Sequence, residues 1–169
     1  MLRLIMMRHA KSSWSSNAPT DHERPLNKRG RRAAPAMARY LSASAWTPDR
    51  VLVSDARRTL ETLERMALPA SVEVCVEPSL YHGGIEEVRA ALGRQRDAVT
   101  ILMLGHEPGW SEAVDWLSGV DLEIKTADAV LMGTDKPSWA ESVAEPCRFY
   151  VSDRVRSRAV MNDEGSNLS

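Results

Sequence analysis

The chain has 169 residues, 43% of them hydrophobic and 27% charged, values that are ordinary for one soluble globular domain with a single sizeable core. Its formal net charge is −1, so no overall field attracts nucleic acid or an anionic membrane, and anion binding has to be local. No apolar run approaches membrane-spanning length. Cys75 and Cys147 lie far apart without a CxxC context, which favours a reduced cytoplasmic chain over a disulfide framework.

The first predicted element is a strand over residues 2–7, which are apolar except for Arg3. A short apolar run of this kind is typical of a strand that is buried on both faces. Arg8 and His9 follow directly, so the strand delivers a fixed cation and an imidazole to one edge of the sheet. In open α/β sheets, ligands bind at the carboxyl ends of the strands.

Residues 12–27 are rich in Ser, Asn, Pro and Asp, a composition that predicts a loop. A helix follows, with Asn27 as its cap and an apolar stripe at Ala34, Met37 or Ala38, Leu41 and Ala45. Pro35 removes a hydrogen bond inside such a helix, at a cost of about 3 kcal/mol. The helix is therefore expected either to begin late, near Arg32, or to be kinked.

The middle of the chain alternates strands with helices. Strands are predicted at 50–53, 72–76 and 99–104, and helices after 55, over 84–94 and from 108 to 118. Ser54 or Asp55 is expected to cap the first of these helices, whose apolar face is Leu60, Leu63 and Ala67. The last helix has Pro108 in its first turn and ends at Gly119.

Two further strands are predicted near the C-terminus, at 127–132 and 139–143. The final stretch, 152–169, has no usable periodicity, and its end is expected to be disordered. Strands that alternate with helices predict a three-layer α/β/α sandwich with a mostly parallel central sheet. We expect a single domain over 1–150, followed by a tail over 151–169.

Arginine or histidine follows four of the predicted strands and therefore reaches the same edge of the sheet. The positions are Arg8 and His9, then Arg57 and Arg58, then His82, then His106. Arg57 is interpreted as a solvated helix residue. Guanidinium groups match a tetrahedral oxyanion, and a neutral imidazole is a nucleophile, so this set indicates phosphoryl transfer through a phosphorylated histidine.

Zinc is the obvious alternative ligand for a set of histidines. A zinc site needs about three well-placed ligands, and the sequence has no HxxxH, HExxH or CxxC spacing. The neighbouring arginines would also repel a dication. We therefore expect neither a metal nor a cofactor.

Four motifs follow one another along the chain. They are RHAKSSW at 8–14, DHERPLNKRG at 21–30, VSDARRTLETLE at 53–64 and LGHEPGW at 104–110. In this order they resemble the motifs of the histidine phosphatase superfamily, which has the phosphoglycerate mutase-like fold. The resemblance is strongest to its SixA-type phosphohistidine phosphatase branch, and it covers residues 2 to about 134.

The resemblance implies a role for each matched residue. His9 is the nucleophile that becomes transiently phosphorylated, and Arg8, Arg58 and His106 hold the phosphoryl oxygens. Arg24 is a further phosphate contact. The stretch after about 145 does not match the family pattern well.

One position departs from that pattern. In many relatives a Glu, two residues after a Leu in the loop that follows the third strand, protonates the leaving group. Here Leu80 and Tyr81 are followed by His82. An imidazole can donate a proton near pH 7, so His82 is the candidate acid. Two alternatives stay open: an exposed loop histidine without a role, and a phosphoramidate substrate that needs little acid help.

The sequence thus predicts a metal-independent phosphatase, with phosphohistidine on a protein as its favoured substrate. A small phosphomonoester or nucleotide is the alternative substrate, and a non-catalytic module that binds phosphorylated partners is the alternative of another class. The presence of both His9 and His106 argues against the module, because binding alone needs no nucleophile. The expected partner is a phosphorylated protein or metabolite, with no nucleic acid or membrane involved, and the oligomeric state is left open.

Overall fold

A six-stranded sheet forms the middle layer of the computed structural model, which describes residues 1–145 and 149–166. The strands are β1 Leu2–Arg8, β2 Arg50–Val53, β3 Glu73–Val76, β4 Thr100–Gly105, β5 Ala129–Thr134 and β6 Tyr150–Val155. Their order across the sheet is β3-β2-β4-β1-β5-β6. The first four are parallel to one another, and β5 alone runs against them, since it pairs antiparallel with both β1 and β6, which confirms the mostly parallel sheet.

Helices cover both faces of the sheet and confirm the three-layer sandwich. They are α1 Lys28–Ala43, α2 Arg57–Met66, α3 Ile85–Gly93, α4 Gly109–Ser118, α5 Trp139–Ser142 and α6 Ser157–Ser166, with a 3₁₀ turn at Pro78–Leu80. Residues of α1, α2 and α6 pack in one core, and residues of α3, α4 and α5 pack in the other. Within the described ranges, no helix is long and apolar enough to cross a membrane.

The central strand β1 contributes to both cores because its side chains alternate between the two faces. Leu4 and Met6 pack beneath α3–α5, whereas Ile5 and Met7 pack beneath α1, α2 and α6. All four side chains are fully buried. Burial of each stabilises the fold by about 1.5–3 kcal/mol. The end of β1, where His9 lies, is therefore held in a fixed place.

Helix α1 begins earlier than expected and is not shortened by its proline. The Asn27 side chain accepts a hydrogen bond from the Gly30 N–H at 2.9 Å, so the predicted cap is confirmed. The helix then runs through Pro35, so of the two alternatives the late start near Arg32 is wrong, and the kink stays a prediction. The lost hydrogen bond is offset by a face of small and apolar buried residues, Ala33, Ala34, Ala36, Met37 and Leu41.

Helix α2 differs from the prediction in its cap and in its buried face. Neither Ser54 nor Asp55 caps it, because Ser54 bonds His106 and Asp55 bonds His22. The predicted apolar face is also wrong at Leu60, which is 37% exposed. The helix instead buries Arg58, Thr59, Thr62 and Met66, because its first turns face the strand ends.

The C-terminal region contains a second correction. Residues 139–143, predicted as a strand, form α5 instead, because the Ser138 hydroxyl caps the Glu141 N–H at 3.2 Å and the Trp139 indole donates to the Ala98 carbonyl at 2.7 Å. Strand β5 begins two residues later than predicted, and β6 and α6 occupy most of the stretch that shows no periodicity. Cys147 and residues 167–169, which belong to the stretch whose end is predicted to be disordered, lie outside the described residues.

Gly105 is the position in β4 where a side chain has no room. A Cβ there would meet the indole of Trp110, which is itself fully buried. We therefore expect Gly105→Ala to lower the free energy of unfolding by about 1–3 kcal/mol, the usual cost of overpacking a core. Urea denaturation measures this loss. Gly84→Ala is the matched control, since the nearest atom to its Cβ is 3.9 Å away, and equal losses in both variants would contradict the packing argument.

Candidate active site

Two histidines meet at the carboxyl ends of neighbouring strands. His9 follows β1 and His106 follows β4, and the backbone N–H of His9 donates to the Gly105 carbonyl at 3.0 Å. The two ring centroids lie 5.3 Å apart. Both side chains are buried, His9 being 6% exposed and His106 1% exposed.

The His9 ring has a defined tautomer. Its Nδ1 lies 2.7 Å from the carbonyl oxygen of Ala10. Because a carbonyl can only accept, Nδ1 carries the proton and Nε2 keeps its lone pair. The Nε–H of Arg58 donates to that Nε2 at 3.3 Å, so this ring nitrogen lies against a cation.

The surroundings of His9 also keep the ring neutral. Burial lowers the pKa of His9 to about 3, helped by the positive charges of Arg58, Arg8 and Arg24 and opposed by the hydrogen bond to Ala10. An imidazolium at this position would be desolvated and next to cations, which explains the direction of the shift. Nε2 is therefore unprotonated at neutral pH, and its lone pair accepts from Arg58.

Arg58 lies in the first turn of α2 and is 2% exposed. Besides its bond to His9, its Nη1 donates to the backbone carbonyl of Asp21 at 2.8 Å and its Nη2 donates to the Asp21 carboxylate at 3.1 Å. The preceding Arg57 is exposed, as the sequence indicated. Arg58 is thus the arginine of this pair that reaches the histidines.

His106 is held by Ser54, which follows β2. The His106 Nε2 and the Ser54 Oγ lie 2.8 Å apart. Ser54 Oγ also accepts from the Ala56 N–H at 3.3 Å, so this hydroxyl connects His106 with the start of α2. The Nδ1 of His106 is buried and has no hydrogen-bond partner among the described residues. Burial, together with His9, Arg58 and His82, lowers the pKa of His106 to about 2.

Arg8 is partly held by the main chain. Its Nη1 donates to the Ile124 carbonyl at 3.2 Å. Its buried Nε has no hydrogen-bond partner in the part of the chain that the structure describes. A buried donor without a partner costs about 1–3 kcal/mol, so a phosphoryl oxygen that accepted from Arg8 would relieve this cost.

The carboxylate of Asp21 connects the loop after β1 with the rest of the site. It accepts from Arg58, from Arg24 Nε at 2.9 Å and from the Tyr81 hydroxyl at 2.8 Å, and it lies 3.5 Å from His82 Nε2. Burial raises the pKa of Asp21, but the hydrogen bonds from Tyr81 and Arg24 and the charge of Arg58 outweigh it and hold that pKa well below its usual value. No pattern in the sequence pointed to a role for Asp21 or Tyr81.

Arg24, the further phosphate contact implied by the resemblance, is bonded within its own loop. In addition to Asp21, it donates to the Ser12 hydroxyl at 2.7 Å, and its guanidinium stacks 3.6 Å over the exposed Trp14 ring. Its charge still acts on the pKa of His9. Arg24 therefore supports the site through the loop, and its contact with phosphate stays a prediction.

His82 lies at the mouth of the site. Its backbone is left-handed, with φ of 51°, and its side chain is 56% exposed. The ring centroid lies 5.5 Å from that of His106 and 4.1 Å from that of Tyr81. The structure thus brings His82 to the same strand ends as the other predicted residues, on the solvent side. In the described ranges, no group of three or more His, Cys, Asp or Glu side chains is placed to hold a metal ion.

The two buried histidines make stability depend on pH. In the unfolded chain a histidine binds a proton near pH 6.5, whereas the folded-state pKa values of His9 and His106 are about 3 and about 2. Between these values the unfolded state binds more protons, so acidification favours unfolding. We expect the free energy of unfolding to fall as the pH is lowered from 6.5 to 4, by up to about 1 kcal/mol per pH unit for each histidine.

Denaturation of the wild type and of His9→Asn across this pH range measures that effect. The variant lacks one of the two buried titrating rings, so its slope with pH is expected to be shallower than that of the wild type. Equal slopes would contradict the neutral, buried state of His9.

Comparisons with known proteins agree with this geometry. The model of the histidine phosphatase superfamily (branch 1) matches residues 4–100. An uncharacterized chloroplastic protein of Arabidopsis thaliana is 38% identical over 156 residues, which cover 84% of this chain and 71% of the relative. A solved structure of a protein from Nakamurella multipartitia, assigned as a phosphohistidine phosphatase SixA, is 27% identical with a TM-score of 0.82, over 92% of this chain and 95% of that one.

A second solved structure shares the fold. It is the protein histidine phosphatase SixA complexed with tungstate, 24% identical with a TM-score of 0.77, over 94% of this chain and 99% of that one. The sheet, the layers and the matched segment together define an α/β phosphatase of the phosphoglycerate mutase-like fold. The chain belongs to the histidine phosphatase superfamily, in its SixA-like branch.

Proposed function

We propose that this phosphatase removes the phosphoryl group from phosphohistidine on a protein, with His9 as the nucleophile. The observation that carries the proposal is the His9 Nε2 lone pair, oriented by the Ala10 carbonyl and lying 3.3 Å from the Arg58 Nε. The similarity to the Nakamurella protein, assigned as a phosphohistidine phosphatase, supports the choice of substrate.

The proposed reaction has two steps. In the first, His9 Nε2 attacks phosphorus, the P–N bond of the substrate breaks, and the leaving imidazole takes up a proton. In the second, water attacks phosphorus, the P–Nε2 bond breaks, and inorganic phosphate leaves. Arg8, Arg58 and His106 stabilise the negative charge on the transferred group in both steps, so no step needs a metal ion.

The mouth of the site supports a substrate carried by a protein. The side chains of Asp21 and His82 at the mouth are 40% and 56% exposed, while His9 beneath them is buried. A phosphorylated side chain that projects from a protein surface can reach a buried nucleophile through such an opening. A small metabolite gains few contacts with so exposed a rim.

Comparison of two substrates tests the proposed function. We expect rapid, His9-dependent loss of phosphate from a phosphohistidine-bearing protein and slow cleavage of a generic aryl phosphate. The reverse preference would contradict the proposal and would point to a small phosphomonoester. When both reactions are measured with the same enzyme preparation, the two substrates differ only in the leaving group and in the molecule that carries it.

The role of His82 can be tested through the leaving group. The alkoxide or aryloxide of a phosphomonoester leaves poorly unless it is protonated, whereas a phosphoramidate has a weak P–N bond. If His82 donates the proton, His82→Ala slows hydrolysis of phosphomonoesters by about 10²-fold and that of phosphoramidates much less. Steady-state rates on both substrates measure the difference, and equal losses would remove His82 from this role.

A further inference from the structure

The Asp21 carboxylate occupies two donors next to His9, the Nη2 of Arg58 and the hydroxyl of Tyr81, while the Asp21 backbone carbonyl accepts from Arg58 Nη1. Arg58 directs one nitrogen to His9 and its other two to Asp21. Tyr81 adds a hydroxyl donor to the same carboxylate oxygen, Oδ2, that Arg58 bonds. A single planar guanidinium therefore joins the nucleophile and this carboxylate.

A phosphoryl group on His9 Nε2 would compete with this arrangement. Its oxygens would lie beside the nitrogen that Arg58 Nε now contacts at 3.3 Å, and the same guanidinium holds the Asp21 Oδ2 at 3.1 Å. Two anions would then share one cation at short range. Because Asp21 is ionised, repulsion between them opposes binding.

We propose that the Asp21 carboxylate is an internal ligand of Arg58 and that an incoming phosphoryl group displaces this carboxylate. By competing for Arg58, Asp21 weakens the binding of inorganic phosphate and speeds product release. The inference rests on the proposed function, since it takes the group bound at Arg58 to be a phosphoryl group. It makes Asp21 a determinant of affinity that acts through Arg58.

The loop around Asp21 allows this displacement without unfolding. The neighbouring His22 is anchored, since its carbonyl accepts from the Arg57 N–H at 2.9 Å and its ring bonds Asp55 at 3.0 Å. The other carboxylate oxygen, Oδ1, is held by Arg24 at 2.9 Å. Only Oδ2 has to leave its two donors, so the side chain can turn away while the backbone stays in place.

The opposite role for Asp21 makes the opposite prediction. If Asp21 served only to aim Arg58 at the phosphate, loss of its charge would weaken phosphate binding. As an internal competitor, it would instead strengthen phosphate binding when its charge is lost. The sign of the change therefore decides between the two roles.

The test uses Asp21→Asn, which keeps the shape of the side chain and removes its charge. We expect inorganic phosphate to bind the variant about tenfold more tightly or better, measured by calorimetry, because one full negative charge close to the anion is gone. Glu23→Gln is the matched control. It removes the same charge from the same turn, where the exposed Glu23 carboxylate accepts from the Thr20 hydroxyl at 2.9 Å. Phosphate affinity in that control is expected to stay within about twofold of the wild type.

Unchanged or weaker phosphate binding in Asp21→Asn, or an equal gain in Glu23→Gln, would overturn the inference. A second comparison tests whether the effect acts through Arg58. In an Arg58→Ala background, Asp21→Asn is expected to give no gain in phosphate affinity. A full gain in that background would also overturn the inference. Phosphate binding requires no turnover. An enzyme that binds phosphate as expected but leaves phosphohistidine intact would therefore contradict the proposed function and leave this inference standing.

Discussion

His9→Ala is expected to abolish turnover, with kcat reduced by about 10⁴-fold or more, because no other side chain takes its place. The next imidazole, His106, lies 5.3 Å away between ring centroids and is bonded to Ser54 through Nε2. Arg58 would lose its acceptor at Nε and could still bind phosphate. The variant is therefore expected to bind inorganic phosphate and to release none from a substrate.

The fold of this variant has to be verified, since His9 is buried. Circular dichroism and thermal unfolding are expected to show a folded chain, because β1 is anchored by side chains on both faces upstream of His9. His9→Asn provides a second test that keeps a polar group in the space. If either folded variant kept more than about 1% of the wild-type turnover, the loss would be smaller than expected, and His9 would be excluded as the nucleophile.

Arg58→Ala is expected to have the second largest effect, a loss of about 10²–10³-fold in kcat/KM, the usual consequence of removing one charged donor that faces a transition state. Arg58 supplies a permanent positive charge next to His9 Nε2 and is almost completely buried. Arg58→Lys keeps a charge but loses the planar fork that binds two oxygens, so it is expected to recover activity only in part.

Arg57→Ala is the matched control for that variant. It removes the same functional group from the adjacent position of α2, where the side chain is exposed. We expect its kcat/KM to stay within about twofold of the wild type, as for most exposed charges. Comparable losses in the two variants would show that a general basic surface, and not Arg58 itself, accounts for the effect.

The strands that carry the site were predictable because their signal is local. The apolar runs that became β1 and β4 are short and are interrupted only by Arg3 and Thr100, and Arg8, His9 and His106 come directly or one residue after them. Once the strands are placed in one parallel sheet, these side chains must reach the same edge. That edge is where the structure has them, although their roles in the reaction remain predictions.

The partners of these residues were not predictable, because they come from distant segments. Asp21 and Tyr81 are 60 positions apart, and no local pattern shows that their side chains bond. Ser54 looked like a helix cap, since serine before a helix usually has that role. In the folded chain the same hydroxyl faces His106, and that contact decides its function.

Two wrong predictions, the inward face of α2 and the strand at 139–143, have a related cause. Helix α2 buries polar residues at its start because Arg58 belongs to the site. The apolar stripe therefore did not predict which face of the helix points inward. The strand at 139–143 was predicted because these residues follow the turn at 133–138, but Trp139 is buried by a contact with Ala98, far away in sequence. In both cases tertiary contacts outweighed the local signal.

The most direct test of the central claim is the capture of a phosphoryl group on His9. The enzyme is incubated briefly with a substrate that carries isotopically labelled phosphate, quenched in alkali and digested. We expect one labelled peptide that contains His9, stable in alkali and lost in acid, and no label in His9→Ala. Label at another residue, or tight phosphate binding with substrate turnover and no labelled chain at any quench time, would contradict the proposed mechanism.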